Sequence, residues 1–215
     1  MSSNAFVVEL EAFKADRLAP IIAASTGDDD GDGDPMRLLQ VALANEISVS
    51  ELAAAWLPTT PEIDVKLAFA RQVGDEANHF TLVADRLVAL GFDVATFQPP
   101  PDNALFQYMK GLVTTVERIA AGLFTLESIA YGVNETFMAL CARRGDHETV
   151  RIYREYIQPD ERAHQLTGQA LLAKYATTLE LQFVARGTVT RVLEIAAATR
   201  AAAATRLGVA CLPGC

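Results

Sequence analysis

Two of the three histidines in this chain follow a glutamate by three residues, in Glu76-Ala77-Asn78-His79 and Glu161-Arg162-Ala163-His164. Positions i and i+3 project from one face of an α-helix, so each pair can bring a carboxylate oxygen and an imidazole nitrogen to one metal ion. An aspartate precedes each glutamate, Asp75 in one copy and Asp160 in the other. A metal-bound imidazole donates its second N–H to an acceptor, and carboxylates beside both histidines suit that role. Oxygen and imidazole donors without thiolates favour iron or manganese over zinc.

Long helices are needed to present these pairs at one level, and the apolar spacing marks them out. Leu39, Leu43, Glu46 and Val49 share a face of a helix that reaches Trp56, where Leu57-Pro58-Thr59-Thr60-Pro61 breaks it. A second helix runs from there to Gly91, with Phe69, Val73, Glu76, either His79 or Phe80, Val83 and Leu87 along a stripe. The stretch from Phe92 to Pro101 ends in three prolines and reads as an extended connection. A third helix is expected from about Asn103 to Arg144, a turn at Gly145-Asp146, and a fourth helix from about His147 to Ala176. An Ala-rich fifth runs from Thr178 to Leu207. Two tight turns and one long crossover give an all-α fold: a four-helix bundle over residues 35–176, an additional C-terminal helix and tail over 177–215, and an N-terminal arm with an acidic loop over 1–34.

Register selects the remaining carboxylates. Facing residues of an antiparallel pair lie equally far from their turn, and Glu127 stands about as far before Gly145 as Glu161 and His164 stand beyond it. Glu135 falls about 12 Å out of register at ~1.5 Å per residue. By the same reasoning Glu46, rather than Glu51, faces Glu76. Glu46, Glu76 and Glu127 stand among apolar neighbours such as Leu43, Val73, Leu123 and Phe124, and buried carboxylates are costly without cations to offset them. The second and third helices must run parallel, which asks the crossover to span about 54 Å where an extended chain of its length reaches ~43 Å. A bend or separate short helix is therefore expected before Gly111, and a distortion at Pro159, whose missing N–H frees the carbonyl of Glu155.

The pattern Glu46, Glu76-x-x-His79, Glu127, Glu161-x-x-His164 resembles that of the ferritin-like di-iron carboxylate superfamily over about residues 36–176. The resemblance implies a ferritin-like bundle holding two iron or manganese ions, with Glu76 and Glu127 bridging, Glu46 and Glu161 as further carboxylates and one histidine per metal. It also implies an oxygenase or oxidase that uses O₂ on a small, apolar organic substrate, with a reductase as electron donor. Iron handling and manganese catalase are the alternative activities that share these ligands. The doubled Asp-Glu-x-x-His is similar to the motif of bacterial multicomponent monooxygenases, but Ala163 rather than arginine precedes His164. Tyr131, one turn after Glu127, is placed to pass hydrogen bonds or electrons to such a site.

The remaining composition narrows the setting. The 215 residues carry a net charge of −9 without a basic stripe, which excludes nucleic acid as a partner. No uncharged apolar run nears ~18 residues, so no membrane span is expected, and the amino-terminal residues lack a cleavable apolar leader. A cytoplasmic protein with reduced thiols at Cys141, Cys211 and Cys215 is the expectation, the last two on a frayed tail. Association with further copies stays open. Asp28, Asp30 and Asp32 have the spacing of half a calcium loop, but Leu39 stands where the closing glutamate belongs, and a solvated acidic loop is the better reading.

Overall fold

The computed structural model describes residues 2–26 and 34–214, and these contain helices and no strand. In chain order the helices are α1 (Ser3–Ala24), α2 (Pro35–Trp56), α3 (Ile63–Ala89), α4 (Ala104–Lys110), α5 (115–143), α6 (147–175) and α7 (Leu179–Leu207). Local chemistry sets their ends. Asp34 caps α2 by accepting from the Met36 N–H at 3.0 Å, with Pro35 in the first turn. Asp146 caps α6 through the Thr149 N–H at 3.0 Å and also binds Arg86 of α3 at 2.7 Å. Buried Arg118 donates to Thr60 Oγ1 at 3.0 Å and to the Leu112 carbonyl at 3.1 Å, tying the α2–α3 turn to the start of α5.

The apolar core falls into two clusters, and their order along each helix reveals the topology. On α2 the chain passes from Leu39 and Leu43 in one cluster to Leu52 and Trp56 in the other, and on α3 it passes back from Phe69 to Val83 and Leu87. On α5 it goes from Phe124 to Phe137, parallel to α3, and on α6 from Tyr153 and Ile157 to Leu172, parallel to α2. Glu46, Glu76, His79, Glu161 and His164 stand where the clusters change on their helices, so a polar layer divides the core.

The parallel run of α3 and α5 is met by a separate helix in the connection, as the length argument requires. α4 begins with Asn103 capping the Leu105 and Phe106 N–H groups and ends at Gly111, and a Thr114–Glu117 capping box opens α5. One unbroken helix from 103 to 144 is thus corrected: residues 111–114 interrupt it.

Two π-helical segments interrupt the helices that carry Glu127 and Glu161, Ala120–Leu126 in α5 and Tyr153–Ile157 in α6. The second lies just before Pro159, where distortion was expected. The first has no proline. Its wider turn is supported by side-chain donors: Thr125 Oγ1 binds the Ala120 carbonyl at 2.6 Å, and Ser128 Oγ and Lys14 Nζ bind the Phe124 carbonyl at 2.8 and 3.0 Å. Gly168 of α6 packs directly on this segment.

Both ends of the chain are more integrated than the sequence suggests. The N-terminal segment, expected as an arm, carries α1, which packs on α5, α6 and α7 with Leu10 and Lys14 buried. The tail, expected to fray, is docked: Arg200 donates to the Leu212 carbonyl at 2.7 Å, the Gly214 N–H donates to Asn134 at 2.8 Å, and Cys211 and Leu212 are buried. The acidic residues of the calcium-like spacing, and Cys215, lie outside the described residues.

A Cβ at position 168 would sit 2.7 Å from the Leu123 carbonyl carbon and 2.8 Å from the Phe124 nitrogen, neither of which can yield without moving α5. Gly168→Ala should therefore destabilise the fold by about 1–3 kcal/mol in urea unfolding. Gly187→Ala, on an exposed helical site with nothing within 4 Å, should stabilise it by about 0.5–1 kcal/mol.

Candidate metal centre

The layer between the two apolar clusters is made of carboxylates and imidazoles. Glu46 of α2, Glu76 and His79 of α3, Glu127 of α5 and Glu161 of α6 are all 0% exposed, and His164 of α6 is 4% exposed. They form two groups that share Glu76. One is Glu46, Glu76 and His79, and the other is Glu76, Glu127, Glu161 and His164; within each group the donor atoms lie within 4.8 Å of one another. His79 Nδ1 faces Glu76 at 3.3 Å and Glu46 at 3.5 Å, while His164 Nδ1 faces Glu76 at 3.6 Å and Glu127 at 3.7 Å. All six residues chosen from the sequence are brought together.

The aspartates serve both histidines, but crosswise. Asp160, from the second motif, meets His79 Nε2 at 3.2 Å, and Asp75, from the first, meets His164 Nε2 at 3.0 Å. Each acceptor holds a ring so that Nδ1 points into the cluster. Glu135, excluded by register, is exposed and accepts from Gln158 at 2.7 Å. Tyr131 is half-buried and lends its carbonyl to Gln158 at 3.1 Å; no described hydrogen bond joins its hydroxyl to the six clustered residues.

Three supporting residues were not read from the sequence. Gln72 donates to Glu127, and Gln165 donates to the Glu127 carbonyl at 3.0 Å. Lys14 reaches in from α1 to Ser128 at 2.6 Å and lies over the Phe124 ring at 3.8 Å. For Gln72 a signal existed: it stands one turn before Glu76, on the same face as Phe69. Lys14 gave none, because its target is set by how α1 docks.

Electrostatics explain what the site can take. Burial pushes the Glu46 carboxyl up to about 8, against the pull of His79. Burial, with Glu127 and Glu76 adding to it, also lifts Glu161 well above the usual carboxylate range. Burial would raise Glu127 too, but the proximity of Glu161 and His164 outweighs it and holds that carboxyl low. His164 is pushed up to about 9, since Glu127, Glu76 and Asp75 more than offset its burial. Both oxygens of Glu46 and of Glu161, one oxygen of Glu127 and Nδ1 of His164 are buried without a hydrogen-bond partner. Such atoms are costly as they stand and suit coordination to a cation, so the cluster fits a metal centre.

No family model matches this chain, and no curated protein or solved structure matches it either. The reading of the site therefore rests on its own geometry.

Glu127→Ala and His164→Ala should each reduce bound metal well below that of the parent chain, measured by elemental analysis after loading and desalting. Glu135→Ala should leave it unchanged. Asp75→Asn and Asp160→Asn keep the ligands but weaken their orientation, and each should lower metal affinity by about 10–100-fold in competition with a chelator.

Proposed function

We propose that this chain is a ferritin-like di-metal carboxylate oxidoreductase that uses O₂ to oxidise an organic substrate. The observation that carries this reading is the pair of buried donor groups sharing Glu76, with carboxylate oxygens of Glu46 and Glu161 left without hydrogen-bond partners. Glu46, His79 and Glu76 would hold one ion, and Glu127, Glu161, His164 and Glu76 the other. Bound there, iron or manganese supplies two-electron redox chemistry toward O₂.

The chain's own residues supply the rest. Asp160 and Asp75 accept from Nε2 of His79 and His164, so Nδ1 of each ring is the nitrogen that would be offered to an ion once it gives up its proton. Gln72 and Gln165 fix Glu127 from both sides of its helix turn, one at the carboxylate and one at the carbonyl. Phe69 and Phe124 on one side of the layer, and Leu43 and Phe137 on the other, keep bulk water from the reacting centre. Raised carboxyls at Glu46 and Glu161 give up protons as a cation takes their place, which keeps the buried charge near balance.

Anaerobic loading with ferrous iron, followed by admission of air in an oxygen electrode, tests the proposal. Two ions per chain and O₂ uptake faster than that of free ferrous ion are expected, with both lost in Glu127→Ala. Metal loading should also raise the melting temperature, because the ions bind only the folded chain. Absence of metal retention, or equal melting curves with and without metal, would end this reading. Iron oxidised and retained in excess of two per chain would instead indicate iron handling.

A further inference from the structure

A cavity of about 930 Å³ opens between α2, the 92–106 connection, α5, α7 and the docked tail. That volume is within the range of small-molecule sites. Its floor is apolar: Leu126, Ile129 and Phe106 line it and are 2%, 4% and 4% exposed. Two of its lining residues are chain neighbours of the clustered carboxylates, Asn45 beside Glu46 and Leu126 beside Glu127. The cavity thus lies against the two helices that carry those ligands.

Its charge runs against that of the protein. The chain bears −9 overall, yet Arg37, Arg200 and Arg206 all line this cavity. Among the described residues the only lining carboxylate is Asp102, already paired with Lys110 at 2.7 Å. Arg37 and Arg206 are exposed at the rim and enter none of the described ion pairs, while Arg200 lies deeper and is engaged with the tail, donating to the Leu212 and Pro213 carbonyls at 2.7 and 3.3 Å. Guanidinium groups at the rim of a cavity with an apolar floor suit an anionic head on an apolar body.

We propose that this cavity binds an organic carboxylate with an apolar body, its carboxylate held by the rim guanidinium groups of Arg37 and Arg206 and its body over Leu126 and Ile129. As a binding site it stands without the metal; as the substrate site of the metal centre it rests on the reading above. The apolar end then lies toward the helix faces beside Glu46 and Glu127, and the head group stays at the solvent side.

Calorimetry with decanoate, decanol and decyltrimethylammonium, all below their micellar concentrations, tests the site on the full chain with and without ferrous iron. One decanoate per chain is expected in both forms, with decanol at least tenfold weaker and the cation not bound. R37Q/R206Q, at two exposed positions, should weaken decanoate about tenfold and leave decanol unchanged. Ala202→Trp, at an exposed lining position, should weaken both by obstructing the cavity, and R151Q, an exposed arginine of α6 outside the cavity lining, should alter neither. Equal binding of decanoate and decanol, or full decanoate affinity in R37Q/R206Q, overturns the proposal. In the iron-loaded chain decanoate should also perturb the visible absorption in air. Binding without that change removes the substrate assignment and leaves the binding site, whereas failure to load iron while decanoate still binds removes the metal reading alone.

Discussion

Taking Glu46, Glu76, Glu127 and Glu161 out of water costs several kcal/mol per ion unless opposite charge is placed beside them. Much else in the molecule answers to that cost. His79 and His164 stand between the carboxylates, and each is turned by an aspartate from the opposite motif so that its inner nitrogen faces the cluster. This crossing couples α3 to α6: each histidine takes its Nε2 acceptor from the other helix. The layer therefore works as a unit, in which the positive charge the chain provides is met by geometry suited to more.

Holding that layer requires backbone that ordinary helices do not offer. Both π segments precede a clustered glutamate, one ending at Leu126 before Glu127 and the other at Ile157 before Glu161. A wider turn shifts the phase of the residues that follow, so the glutamate can point inward while the preceding apolar residues stay in the core. The carbonyls this disturbs are taken up by Thr125, Ser128 and Lys14, and Gly168 lets α6 approach the distorted segment closely. The α5 distortion is thus accommodated by donors from two helices, α1 and α5, and by the close approach of a third.

The peripheral helices have the same logic. α1 supplies Lys14 to the α5 distortion, and α7 supplies Arg200 to the docked tail, whose Gly214 lies against Ala130 one turn past Glu127. Segments distant in sequence from every ligand are therefore part of what positions Glu127. Of these, α7 and the tail also line the arginine-bearing cavity against α2 and α5.

The sequence by itself determined the helical class, the turn at Gly145, the need for a break before Gly111, the distortion near Pro159 and the six clustered residues. These are local or near-local properties: helical period, proline chemistry, and distance from a tight turn, which suffices to exclude Glu135. Tertiary structure alone decided which aspartate serves which histidine, that α5 also distorts, that Lys14 reaches Phe124, and that both ends of the chain dock. In each of these cases the partner is chosen by how one helix lies across another. Spacing along a chain carries the phase of a single helix but not the rotation and approach of two, and it is those that bring Asp160 to His79 and Gly168 to Leu123.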